Sequence, residues 1–170
     1  KLAKTHFDVG YSNESGVREL VENAGSLMGE IELDAERQVM NSFLSELIKS
    51  APRATYGEMM VRSALERGAI DKLLISEGLR KNAITMRCGS CQHEWTATVG
   101  RMEALPACPS CEASGDNAKE LNSVSLIDEL GKMAERSNTE IVYISIDTEE
   151  GSQLLHGFGG LAALCRYPMM

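Results

Sequence analysis

Two Cys-x-x-Cys pairs, Cys88-Gly-Ser-Cys91 and Cys108-Pro-Ser-Cys111, stand sixteen residues apart in this chain. No other feature limits the fold so strongly. Two thiolates three positions apart can grip one metal ion from one side, and two such pairs complete the four tetrahedral ligands that Zn²⁺ prefers. The chain between the pairs must leave and return, which suits a short hairpin. His93-Glu-Trp-Thr-Ala-Thr-Val99 supplies its outgoing strand, with Trp95 and Val99 adding β-propensity. Gly89 and Pro109 are residue types that tight metal-binding turns tolerate. The expected cofactor is one structural Zn²⁺ held by Cys88, Cys91, Cys108 and Cys111. Disulfides fit poorly, since nothing else in the sequence suggests secretion. A redox dithiol accounts for one pair but not two. A catalytic zinc needs an open position for water, which four thiolates do not leave.

At 170 residues the chain has room for one ordinary domain, or one domain carrying a small insertion. A 43% hydrophobic content with 25% charged residues is that of a globular protein able to bury a core. No apolar run approaches the roughly 18 residues of a membrane span. The opening Lys1-Leu-Ala-Lys-Thr-His6 lacks the apolar stretch of a signal peptide. A cytoplasmic location without membrane contact is therefore the expectation. The missing initiator Met suggests a piece of a longer chain.

Seventeen basic against twenty-five acidic residues leave a net charge of −8. Nucleic-acid binding rests on Lys and Arg neutralising phosphates, so the balance argues for protein partners and against direct nucleic-acid binding. Arg80, Lys81 and Arg87 form a local basic group that reads as ordinary solvated surface.

In chain order, residues 5–11 alternate as a first strand. Asn13 or Ser15 can cap a helix through Val17, Leu20, Val21, Ala24 and Leu27, weakened near its end by Gly25 and Gly29. Asp34 can cap a second helix, in which Val39, Met40, Phe43, Leu44, Leu47 and Ile48 recur at helical spacing and form a core stripe ended by Pro52. A further helix opens at Tyr56-Gly-Glu58 and stops at Gly68, before a buried strand over residues 71–76. Ile84 to Arg87 lead into the metal hairpin as a strand, and the polar residues 112–117 form a loop beyond it. Ser123 or Ser125 caps a helix with Leu126, Ile127, Leu130, Met133 and Ala134 on its apolar face. Residues 140–146 read as the most convincing buried strand. Asp147 and Glu150 have the spacing of a capping box for a helix over 149–156. The turn Gly157-Phe-Gly-Gly160 then precedes a last strand over 161–167. This order implies an α/β fold: a mixed central β-sheet flanked by helices on both faces, with an inserted zinc-ribbon-like β-hairpin minidomain over residues 86–119 of a domain spanning 1–170.

No catalytic residue is assigned. The glycines of Gly157-Phe-Gly-Gly160 follow a helix and precede a strand with no adjacent Lys, the reverse of a phosphate loop. Cys165 lies in an apolar strand without a Cys or His neighbour and reads as a buried free thiol. His93 can stand near the metal without being a ligand.

Several stretches resemble the C-terminal domain of archaeal and eukaryotic class I peptide chain release factors. They are Phe7-Asp-Val-Gly-Tyr-Ser-Asn-Glu-Ser-Gly-Val-Arg-Glu-Leu20, Tyr56-Gly-Glu58, Ala64-Leu-Glu-Arg-Gly-Ala-Ile-Asp-Lys-Leu-Leu-Ile-Ser-Glu77, Ile144-Ser-Ile-Asp-Thr-Glu-Glu-Gly-Ser-Gln-Leu-Leu155, and Gly157-Phe-Gly-Gly-Leu-Ala-Ala-Leu-Cys-Arg-Tyr167. The four-cysteine insertion points to the archaeal branch. The resemblance implies a non-enzymatic docking domain acting in translation termination. Its partners are the delivery GTPase, expected to be an alpha-type elongation factor, the ABC-type recycling ATPase, and the ribosome in the full-length context. It places the partner surface on the first helix, at Arg18, Glu19 and Glu22. The chain lacks both the Gly-Gly-Gln hydrolysis motif and the Asn-Ile-Lys-Ser codon-reading motif of the family's other domains. Two alternatives remain: the equivalent domain of a Pelota-like ribosome-rescue factor, and an RNA-binding zinc-ribbon module.

Overall fold

Ile70-Asp-Lys-Leu-Leu-Ile-Ser76 carries apolar residues on both of its faces, the pattern of a strand covered on both sides. In the computed structural model, which describes residues 14–168, it forms the central strand β2 (Ile70–Ser76). Two compact units are present, residues 1–42 and 43–170. The first described element is the helix α1 (Glu14–Leu47). In the second follow β1 (Ala54–Tyr56), α2 (Glu58–Glu66), β2, β3 (Lys81–Cys88), β4 (Glu94–Gly100), β5 (Ala118–Ser125), α3 (Leu126–Arg136), β6 (Glu140–Ile144), α4 (Glu149–Gly157) and β7 (Leu161–Cys165). The strand read over residues 5–11 lies outside the described residues.

The main sheet has the order β1-β7-β2-β6. β2 pairs parallel with β6 and antiparallel with β7, which is itself antiparallel to β1, so the sheet is mixed as expected. Alternate residues sort its two faces. Leu73, Ile75, Leu161 and Ala163 join Val61, Leu65, Leu126 and Leu130 of α2 and α3 in one fully buried cluster. Leu74 and Ala162 point the other way and are equally buried, on the face that receives Leu154 of α4. On burial alone each of the Leu, Ile and Val side chains contributes about 1.5–3 kcal/mol before chain entropy is charged against it.

Several expectations need correcting. The insertion is more than a hairpin: β3 and β4 form an antiparallel hairpin, and β5 pairs on the other side of β3 to make a separate three-stranded sheet, order β4-β3-β5. β5, Ala-Lys-Glu-Leu-Asn-Ser-Val-Ser, is mostly exposed and carries no apolar alternation to reveal it. The two helices expected before Pro52 are one. α1 passes through Gly25 and Gly29, each worth only about 1 kcal/mol against a helix, and Asp34 pairs within it with Arg37 at 3.7 Å. Within its apolar stripe Met40 and Phe43 are fully buried, but Ile48 is exposed. β6 is an edge strand with Tyr143 half-exposed, so the central, buried places belong to β2 and β7. The cap of α4 is Thr148, whose hydroxyl accepts the Gly151 N–H at 3.1 Å, one residue beyond the expected Asp147. Gly68, at φ +64°, follows α2 as expected, and Gly159-Gly160 form the turn into β7.

The small sheet interrupts a βαβ unit, entering after β2 and returning through β5 directly into α3. A polar cluster ties it to the helices. Arg62 of α2 donates to both carboxylate oxygens of Glu129 on α3, at 2.7 and 3.1 Å, and to Glu58 at 3.4 Å. Glu58 in turn accepts from the Thr98 hydroxyl on β4. The Arg62 hydrogen bond holds the Glu129 carboxyl below the usual carboxylate range, and the Arg62 guanidinium is raised in return.

Candidate metal centre

β3 ends at Cys88 and the chain turns at once through Gly89, Ser90 and Cys91. The turn is closed by the Gln92 N–H donating to the Cys88 carbonyl at 3.0 Å, and by the Cys88 N–H donating to the His93 carbonyl at 2.9 Å. The second pair repeats this turn. The Glu112 N–H donates to the Cys108 carbonyl at 2.9 Å, and the Cys108 N–H to the Ala113 carbonyl at 2.9 Å. The first turn is tied at Gly89 to the segment that follows the second, the Gly89 N–H donating to the Asn117 carbonyl at 2.9 Å. A Cβ at residue 89 would lie 2.7 Å from that same oxygen, so the close approach requires glycine. The Asn117 side-chain amide donates to the Ser90 hydroxyl at 2.8 Å, completing the clip.

The outcome is four sulfurs within 4.8 Å of one another. Cys88 Sγ is 3.5 Å from Cys111 Sγ, and Cys91 Sγ is 3.6 Å from Cys108 Sγ. Both separations are far too long for a disulfide near 2.05 Å. They approach the roughly 3.8 Å edge of a tetrahedron with 2.3 Å metal–sulfur bonds. The first cysteine of each pair is buried and the second exposed, as the shared turn geometry dictates. The backbone N–H of Cys91 favours the Cys88 thiolate and draws its pKa down to about 6. For Cys111 the Ala113 N–H acts the same way, but the thiols of Cys91 and Cys88 outweigh it and push the value up to about 12. The donor set and geometry fit a tetrahedral thiophilic ion such as Zn²⁺.

His93 is outside the sulfur cluster; its ring stacks on Trp95 at 6.4 Å between centroids. Cys165 is a buried free thiol outside the sulfur cluster, and burial raises its pKa. On α1, Arg18 and Glu19 are exposed, Arg18 approaching Glu14 at 3.8 Å. Glu22 lies on the same helix, one turn on from Arg18. The Glu58–Arg62–Glu129 cluster had no signal in the sequence beyond the i,i+4 spacing of its first two members.

Residues 33–169 match the family model described as eRF1 domain 3. The peptide chain release factor subunit 1 of Methanosarcina mazei is 38% identical over 95% of this chain, and the chain spans 39% of that relative's length. The solved C-terminal domain of the Methanosarcina mazei release factor superposes with a TM-score of 0.75 at 37% identity, covering 93% of this chain and 98% of that one. A structure described as ribosome-bound archaeal Pelota and ABCE1 shares the fold, with a TM-score of 0.59 at 18% identity over 96% of this chain and 35% of that one. The chain belongs to the eRF1 domain 3 family, the C-terminal domain of the peptide chain release factors that act in translation termination.

Proposed function

We propose that this chain is the docking domain of an archaeal release factor, binding the translational GTPase that delivers the factor and the ABC-type ATPase that recycles the ribosome. In this reading Cys88, Cys91, Cys108 and Cys111 hold one structural Zn²⁺, and residues 86–119 form a metal-stapled insertion in a domain spanning the chain. The observation that carries it is the superposition on a release-factor C-terminal domain over nearly the whole chain. The 38% identity to a release factor favours this parent over Pelota, whose likeness is one of fold.

The chemistry supports a partner-binding rather than a catalytic role. Four thiolates fill a tetrahedral ion and leave it no position for water or substrate. When bound, the ion would supply structure: it would pin two turns that otherwise hang on a few backbone hydrogen bonds. The surface assigned to the GTPase is the start of α1, at Arg18, Glu19 and Glu22, the first two of which are exposed. Beside them Val17, Leu20 and Val21 follow i, i+3, i+4 spacing and stand 60%, 40% and 64% exposed. An uncovered apolar stripe edged by charge is the usual composition of a helix that docks.

Calorimetric titration with alpha-type elongation factor carrying a non-hydrolysable GTP analogue tests the reading. It predicts saturable one-to-one binding, weaker with GDP, and at least tenfold weaker for the Arg18→Glu/Val21→Asp variant. Absence of binding in both nucleotide states contradicts the GTPase assignment.

A further inference from the structure

At the end of the small sheet opposite the cysteines, where β3 begins and β4 ends, lies a cleft of about 490 Å³. That is within the size range of sites that enclose a small ligand or one residue of a larger one. Arg80, Lys81 and Arg101 line it. Arg80 and Lys81 are neighbours in sequence, whereas Arg101 arrives only because Lys81 pairs with Gly100 across the β3–β4 ladder. Folding thus exchanges the basic group read from the sequence for another. Arg87, at the far end of β3, is neutralised by Glu94 at 2.8 Å, and Arg101 takes its place.

These cations outnumber the one carboxylate that shares the lining with them. Among the described residues neither Lys81 nor Arg101 makes an ion pair, and Arg80 gives one N–H to the Glu77 carbonyl at 2.8 Å. The one carboxylate in the lining, Glu103, accepts the Gly100 N–H at 2.7 Å. Ser125 and Ile127, also in the lining, open α3, and the Ser125 side chain makes no capping bond. The positive end of an eleven-residue helix therefore adds to the same field. In a chain of net charge −8 this is a local reversal of sign.

Between the cations the wall is apolar and incompletely covered: Ile84, Leu105 and Ile127 are each half-buried. A purely ionic ligand has no use for that floor, and a purely apolar one has no use for the rim. A nucleotide uses both, its base lying against the aliphatic wall or an Arg guanidinium plane while the remaining cations take its phosphates. The lining has no glycine-rich phosphate loop to grip a free nucleoside triphosphate, and Arg80 and Arg101 are exposed at the mouth, where a continuing backbone can run past. On the proposed release-factor reading this domain works within a ribosomal complex, where the single strands at hand are RNA. We propose that this cleft takes one nucleotide of a single-stranded RNA segment, its base on Ile84, Leu105 and Ile127 and its flanking phosphates against Arg80, Lys81 and Arg101.

Fluorescence anisotropy of a labelled ten-residue oligouridylate with the zinc-loaded 170-residue chain tests this. Three neutralised phosphates on a single strand predict that raising salt from 50 to 200 mM weakens binding about 20-fold. Lys81→Glu/Arg101→Glu is expected to weaken it at least tenfold, and Lys119→Glu/Lys132→Glu, of equal net charge, less than twofold. Arg101→Glu alone, at an exposed position, is the variant least able to disturb folding and is expected to cost about threefold to fivefold. An abasic oligomer of the same length is expected to bind at least tenfold more weakly. No binding at 50 mM salt, equal losses in the two double variants, equal binding of the abasic oligomer, or displacement by equimolar uridine monophosphate would each overturn the proposal.

Discussion

Gln92 and Glu112 occupy equivalent places in two copies of one turn. Each follows the second cysteine of its pair, each is left-handed at φ +60° and +58°, and each donates its N–H to the carbonyl of the first cysteine. The sulfur cluster is thus built twice from the same local geometry, and neither copy uses the glycine that such a φ favours. A β-branched residue there meets a cost of about 1–2 kcal/mol, because its Cβ crowds the backbone in this region. Gln92→Val and Glu112→Val should each weaken zinc binding about tenfold in competition with a chromophoric chelator, with stoichiometry unchanged at one ion.

Cys88→Ser and Cys108→Ser remove the buried member of each pair and should abolish stoichiometric zinc. Trp95, the sole tryptophan, lies on β4 of the small sheet and reports its order directly. Its emission should shift in both variants, while far-ultraviolet circular dichroism retains the helical signal of α1 to α4.

The Arg62–Glu129 pair is part-buried, with side chains 27% and 33% exposed. Replacing Glu129 by Gln leaves Arg62 with Glu58 alone and should cost about 1–2 kcal/mol in denaturant unfolding at neutral pH. The carboxyl is held below its ordinary value, so its contribution is complete above the unfolded value near 4.3 and disappears as pH falls through the lower folded one. Wild type and Glu129→Gln should therefore differ by a constant amount from pH 6 to 8 and converge only as pH falls past the unfolded value and through the lower folded one.

Gly151 sits in the first turn of α4, where an added Cβ would lie 1.8 Å from the Ser145 carbonyl oxygen. Backbone cannot yield there without disturbing the Thr148 cap, which uses the Gly151 N–H. Gly151→Ala should lower stability by at least about 2 kcal/mol, although alanine is the better helix former.

What could be read from sequence divides along physical lines. The cysteine spacing was legible because metal geometry leaves few choices, and α2, α3 and β2 because their apolar periodicity is strong. β5 was not, since a strand exposed over most of its length needs no apolar alternation and is defined by pairing with β3. The unity of α1 was obscured by Gly25, Gly29 and Asp34, residue types that usually mark helix ends but are here overridden along one long helix. An apolar run does not say whether a strand is central or at an edge, which is why β6 read as more buried than it is. The convergence of Arg101 with Arg80 and Lys81 depends on strand register, which no local pattern records.

In the proposed function the four cysteines hold one ion that orders the small sheet while the rest of the fold stands without it. The most direct measurement is a pair of amide ¹H–¹⁵N correlation spectra of the chain, before and after zinc is removed by chelation. The account predicts that resonances of residues 81–125 collapse toward unstructured positions while those of β2, β6, β7 and α4 stay in place, and that one equivalent of Zn²⁺ restores the first spectrum. Loss of the whole spectrum on chelation, or no change at the cysteines, would contradict it.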